Sequence, residues 1–309
     1  MNKSIYFGSF VVESGALQGM RGELFVYDVE DRLVAFESGS SEEGLEKSII
    51  LIGGMTDGLL ALPYTNKLGD FCLRNGLSLV QPLFSSSYTG FGVNSLDRDA
   101  RQLVKLLAYL RMQRANLRKI YLLGHSTGCQ VILFYLANYH DEAHMGRGAF
   151  LQGPVSDRDY MFDRYPDADS LLRWAEERCA AGEPTAVHWK LYDGIAPINA
   201  YRARSLLSRL GDDDYFSLDL SMAERGERVA GSGVPVTMVV SGKDEYYPMG
   251  KTARDLQEHY STFGFWGWDV KILPEADHAI SRPEDQATFM DYLAGRLSDD
   301  GKLEISRQL

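Results

Sequence analysis

A serine with a glycine two positions away on either side, Gly124-His125-Ser126-Thr127-Gly128, stands where an apolar run ends and a helix-period run begins. A serine hydroxyl is a poor nucleophile at neutral pH unless a base takes its proton, and a carboxylate normally orients that base. The motif is short enough to arise by chance, so its strand–turn–helix setting gives it chemical meaning. In that setting the serine occupies a strained turn, and a Cβ at either glycine would crowd neighbouring backbone. Two later turns supply the partners in the required chain order. "VTMVVSGKDEYYP" places Asp244 after an apolar strand, and "VKILPEADHAIS" places His278 after the next. Ser126, Asp244 and His278 are the candidate nucleophile, orienting acid and general base.

The acid has two alternatives. Glu245 is the immediate neighbour of Asp244, and Asp157 follows the preceding strand, from which some hydrolases of this layout supply the carboxylate. A cap salt bridge with Arg158 or Arg164 is the structural reading of Asp157. Among the other histidines, His125 points away from Ser126 as a packing residue. His140 and His144 close the helix after the motif, His188 lies in the long middle segment, and His259 lies on a late helix. The oxyanion formed by attack on a carbonyl needs two backbone donors. Thr127, directly after the serine, supplies the first; in "IGGMTDG" Met55 is the best source of the second, with Gly54 next. Asp57 in the same turn could hold that loop by an Asx-type bond. "FSSSYTGFG" (84–92) is a polar loop after a core strand, placed either at the site entrance or on the open surface.

These residues need a scaffold that brings distant turns together. "SIILIGG" (48–54) and "LSLVQPL" (77–83) read as strands buried on both faces. Ser95 caps a helix that puts Leu96, Leu103, Leu106, Leu107 and Leu110 largely on one face. Strands follow at 119–123, 149–152 and 234–242 and in "WDVKILP". Helices are expected near 66–75, 129–139, 249–263 and 283–297. Alternation of this kind predicts a mostly parallel sheet flanked by helices, and "GELFVYDVEDRLVAFES" predicts an antiparallel start. The result is an α/β class with an α/β-hydrolase layout. Its core spans 1–155 and 232–309, and 156–231 forms a mostly helical cap over the C-terminal sheet edge, where such sheets bind ligands.

Totals exclude other classes. The chain has 309 residues and a formal net charge of −11, which disfavours nucleic acid and anionic membranes as partners. Cys72, Cys129 and Cys179 form no C-x-x-C pair, so buried free thiols are expected rather than disulfides or a metal site. No apolar run reaches the ~18 residues of a membrane span, and the N-terminus lacks the apolar core of a secretory signal. A cytoplasmic protein is the expectation.

"IGGMTDGLLALPY", "SSYTGFG", "LLGHSTGCQ", "LQGPVSDRD", "GDDDYFSLDLS" and "SGKDEYYP" together resemble the α/β-hydrolase family that includes fungal intracellular siderophore esterases. The similarity runs from about Ser48 to His278. It implies a serine hydrolase that opens carboxylic ester bonds through an acyl-enzyme, in hydroxamate siderophores of the fusarinine type. No cofactor is then required, and ferric iron would arrive with the small-molecule ester. A place in iron metabolism follows. Gly153 stands where the resemblance leads one to expect alanine. The acidic run Asp212–Asp214 would either receive amines of such a substrate or be a solvated surface. Two other readings fit the same motifs: a general carboxylesterase or acylglycerol lipase, and a non-catalytic ligand-binding homologue.

Overall fold

The uniformly apolar runs become the centre of a sheet. In the computed structural model, residues 19–39, 45–139, 146–188, 196–229, 233–262 and 269–307 are described. His140, His144 and Trp189 lie outside them. The chain opens with β1 (Glu23–Asp28) and β2 (Leu33–Ser38), an antiparallel pair, as their alternating pattern predicts. Then come β3 (Lys47–Ile52), α1 (Thr65–Arg74), β4 (Leu77–Pro82), a 3₁₀ turn over Tyr88–Val93, α2 (Leu96–Gln113), β5 (Lys119–His125), α3 (Thr127–Asn138) and β6 (Gly146–Gln152). The segment up to the next core strand holds α4 (Asp157–Arg164), α5 (Ala168–Ala180), the two-residue strands β7 (Val187–His188) and β8 (Ile198–Asn199), α6 (Ala200–Leu207) and α7 (Met222–Val229). The core resumes with β9 (Val236–Ser241), α8 (Ala253–Ser261), β10 (Asp269–Leu273) and α9 (Pro283–Arg307).

Eight of these strands form one sheet in the order β1-β2-β4-β3-β5-β6-β9-β10. Pairing is antiparallel from β1 through β2 to β4 and parallel from there on. Side chains alternate across it. Ile50, Ile52, Leu122, Leu151 and Met238 join a core under α2, α3 and α8, built on Leu96, Leu103, Leu106 and Ile132. Ile49, Leu51, Leu123, Phe150 and Val239 join a second core under α1 and α9, with Leu68, Phe71 and Phe289. Both sheet faces are therefore dry, which is why the central strands carry no polar alternation. Ser95 caps α2 by accepting from the Arg98 N–H at 3.1 Å, as its position predicts. The chain has an α/β-hydrolase fold.

The 157–229 segment has its own small core of Met161, Leu171, Ala175, Ile198, Ala203 and Leu206, with Phe91 of the 3₁₀ turn packed into it. Two of the three carboxylates in its acidic run are buried and all three are paired within the protein, contrary to both expectations. Asp213 is buried, pairs with Arg202 and accepts from Ser205 Oγ at 2.6 Å. Asp214 is buried beside Arg158 at 3.2 Å and accepts from the Leu210 N–H at 2.8 Å, and Asp212 accepts from the Tyr201 hydroxyl. Cys72 and Cys129 are buried free thiols, whereas Cys179 is only half-buried on α5.

Candidate active site

Ser126 is the hinge between β5 and α3, at φ +53° and ψ −124°. A non-glycine residue holds such a conformation only where its surroundings force it. Here the Ser126 N–H donates to the Gln152 carbonyl at 3.0 Å, and its carbonyl accepts from the Cys129 N–H at 2.8 Å. The flanking glycines allow the close approach this turn needs. A Cβ on Gly124 would lie 2.6 Å from Gly128 backbone atoms, and one on Gly128 would lie 2.3 Å from the Ile52 carbonyl oxygen.

The turns after β9 and β10 bring Asp244 and His278 to the same end of the sheet. His278 Nδ1 lies 2.7 Å from Asp244 Oδ2, with the carboxylate side chain fully buried. The other carboxylate oxygen accepts from the Tyr246 N–H at 3.0 Å. Burial pushes the His278 imidazole down, but the charge and hydrogen bond of Asp244, with smaller help from Glu245 and Asp57, outweigh it and hold the pKa above the ordinary histidine value. The ring is flanked by His125 at 4.7 Å and Tyr246 at 4.6 Å between centroids. Gly153 beside it has φ +62°, and a Cβ there would sit 3.1 Å from His278 Cε1 and Nδ1. An alanine at 153 would require both strain and a shift of the ring by a few tenths of an ångström.

The alternative acids have other partners. Glu245 Oε2 accepts from the His278 backbone N–H at 3.1 Å, not from the ring. Asp157 accepts from Gln130 Nε2 at 2.9 Å, and Arg158 pairs instead with Asp159, Asp214 and Asp219. Burial and the nearby Asp213 push the Asp157 carboxyl up to about 7, while Arg202 and His278 pull the other way.

Thr127 is the first residue of α3, so its N–H has no intrahelical acceptor. Gly54 donates its N–H to Asp57 Oδ2 at 2.7 Å, and the Asp57 N–H returns to the Gly54 carbonyl at 3.1 Å. That bond supports the expected loop-holding part for Asp57. It also occupies the N–H of Gly54, the second of the two donors expected from this loop. The 84–92 loop faces the site: Phe91 lines the main cleft, and Ser86 and Ser87 line a small recess of about 40 Å³ that Gly54 and Met55 also border.

Ser126 and His278 open onto one cleft of about 250 Å³, bordered by Met55, Asp57, Val155, Asp157, Tyr160 and Tyr246 among others. Tyr160 and Tyr246 were not singled out by sequence reasoning, because α4 and the turn after β9 bring them together only on folding; their rings lie 5.0 Å apart. Gln152 was also missed. Its one sequence signal is a polar residue at the end of the otherwise apolar run "AFLQ". His125 is a packing residue, as expected, and it packs on the His278 ring; burial and that neighbour push its pKa down to about 3. His188 packs on Trp174 at 4.9 Å, and His259 contacts Arg225 and the Ser217 carbonyl. Among the described residues, no helix is long and apolar enough to cross a membrane.

Comparison with known proteins agrees with this architecture. The chain is 28% identical to the fusarinine C esterase SidJ of Aspergillus fumigatus, over 90% of this chain and 95% of that protein. An esterase of Emericella nidulans is 30% identical, over 84% of this chain and 87% of the relative. Among solved structures, the siderophore hydrolase EstB from Aspergillus fumigatus superimposes with a TM-score of 0.76 at 25% identity, covering 93% of this chain and 99% of that one. A monoacylglycerol lipase from Paleococcus ferrophilus shares the fold, with a TM-score of 0.61 at 13% identity over 87% and 99%. A family model described as a protein of unknown function, DUF1749, matches residues 17–297, and the chain belongs to that family.

Proposed function

We propose that the chain is a serine esterase that opens carboxylic ester bonds in hydroxamate siderophores of the fusarinine type. The observation that carries the chemistry is the buried Asp244–His278 pair at 2.7 Å in the cleft onto which the strained Ser126 opens. Ser126 Oγ attacks the ester carbonyl as His278 Nε2 takes its proton. The tetrahedral oxyanion is held by the Thr127 and Met55 N–H groups. Collapse breaks the bond to the alcohol oxygen, which leaves with the proton from His278. Water then attacks the acyl-enzyme with His278 again as base, and the carboxylic acid departs as Ser126 recovers its proton. Asp244 accepts from His278 Nδ1–H throughout, which leaves Nε2 to take and return the proton.

The substrate class rests on the relatives SidJ and EstB, whose names state fusarinine C esterase and siderophore hydrolase. Residues 156–231 act as the cap that shapes the cleft, with 1–155 and 232–309 as the core; Tyr160 and Asp157 on its wall support this division. A cytoplasmic location and a part in iron metabolism, in which ferric iron enters as substrate, complete the reading. Ser126→Ala should retain the fold and lose turnover. A panel of ferric hydroxamate esters and monoacylglycerols, run with fluorophosphonate labelling, tests the substrate class. Undiminished hydrolysis by Ser126→Ala would refute the mechanism, and a preference for monoacylglycerols would refute the substrate.

A further inference from the structure

We infer that Gln152 is a positioning residue that fixes the nucleophile turn and the base turn against each other through one fully buried side chain. The inference rests on the esterase reading of Ser126 and His278. Gln152 ends β6, between His125 of β5 and Val239 of β9 in the sheet register. Its backbone carbonyl accepts the Ser126 N–H at 3.0 Å. Its side-chain Nε2 donates to the His278 carbonyl at 2.8 Å. Its Oε1 faces His125 Nδ1 at 2.6 Å and accepts from the Tyr64 hydroxyl at 3.2 Å. One residue thus touches the backbone of both reacting side chains, although the two turns are 152 positions apart in sequence, from Ser126 to His278.

The amide orientation follows from its partners. Only the NH₂ end can face the His278 carbonyl, so the oxygen must face His125. That oxygen can only accept, which places a proton on His125 Nδ1. Burial holds the His125 ring neutral, so its Nε2 is bare. A neutral ring is what His278 requires as a neighbour at 4.7 Å, because a second cation there would oppose the imidazolium formed in catalysis. Gln152 therefore sets where His278 sits and which nitrogen of the neutral ring beside it carries the proton. Gly153 continues the same brace, with its N–H bonded to the Val239 carbonyl at 3.0 Å and its α-carbon against the His278 ring.

Two substitutions in this cluster separate positioning from simple loss of a buried bond. Gln152→Leu preserves bulk but frees the His278 carbonyl. Tyr64→Phe removes only the outer hydroxyl. A misplacement of about 1 Å at a catalytic group can cost about 100-fold in rate. Gln152→Leu should lower kcat for p-nitrophenyl acetate by about tenfold or more with KM within about twofold, and it should shift the downfield proton of His278 Nδ1 in NMR spectra. Tyr64→Phe should keep kcat within about threefold and leave that resonance in place. In the unmodified protein, ¹⁵N spectra should show His125 as the neutral Nδ1–H tautomer between pH 5 and 8. A folded Gln152→Leu protein with unchanged kcat would overturn the inference, as would an Nε2–H tautomer of His125, a measurement that needs no variant to fold. Absence of ester turnover in the unmodified protein would instead sink the esterase reading, and the tautomer would still report on Gln152.

Discussion

Replacing Asp244 by asparagine separates the charge of the proposed acid from its shape. Asparagine can keep its oxygen on the Tyr246 N–H, where Asp244 Oδ1 accepts at 3.0 Å. It must then turn its NH₂ toward His278 Nδ1, which Asp244 Oδ2 faces at 2.7 Å. A donor there forces the imidazole proton onto Nε2, the nitrogen that has to receive the serine proton. The variant also loses the anion that stabilises the imidazolium in the transition state. For unit charges about 4 Å apart at an effective dielectric near 20, that attraction is about 4 kcal/mol. With tenfold in rate for each ~1.4 kcal/mol, the loss in kcat should be roughly 10³-fold from charge alone. The tautomer should carry it toward 10⁴. The assay is steady-state and burst kinetics on p-nitrophenyl acetate at pH 7.5, with circular dichroism melts as the control for folding. Glu245→Gln serves as the comparison, since Glu245 reaches only the His278 backbone N–H. If folded Asp244→Asn kept more than about a tenth of the parent kcat, the electrostatic argument would be wrong. A collapse in Glu245→Gln instead would move the role to that neighbour.

Two further outcomes follow from the same structure. Catalysis needs neutral His278, so kcat/KM should rise with pH along an acid limb whose midpoint lies above the ordinary histidine value of about 6.5, because Asp244 outweighs burial. The matching stability contribution is complete below that ordinary value and is lost as pH rises through the folded pKa. A limb centred below 6 in a pH–rate profile would contradict the assignment. Arg202 is buried, pairs with Asp213 and donates from Nε to the Phe91 carbonyl at 3.1 Å. Arg202→Ala strands a buried carboxylate and should cost about 3–5 kcal/mol, read as a lower urea midpoint at constant m. An unchanged midpoint would show that this pair does not hold the 157–229 segment together.

Arginine and aspartate in that segment illustrate what a linear reading misses. "GDDDYFS" can be read as a solvated acidic run because its cationic partners lie elsewhere in the sequence. Arg158, Arg202 and Ser205 reach it only after α4 and α6 have packed, and each of the three carboxylates then has its own partner. Asp157 is a similar case. Neighbouring arginines suggested a salt bridge, whereas its observed partner is Gln130, from a different helix. The structure also sets element ends a few residues from the expected ones, with β6 starting at Gly146 and α9 running to Arg307.

What the sequence determined by itself was everything governed by local periodicity and turn chemistry. The buried strands, the capped helix at Ser95, the antiparallel entry and the glycine-flanked serine follow from residue types a few positions apart. The chain order of Ser126, Asp244 and His278 belongs with them. Only the tertiary structure decided which carboxylate meets the imidazole, because Asp244 and Glu245 are adjacent in sequence and the turn after β9 sends one to the ring and the other to the backbone. It also decided that the Gly54 N–H is already taken and that Gln152 joins two turns far apart in the chain. These are matters of side-chain direction and of buried polar groups finding partners, and neither is encoded at short range.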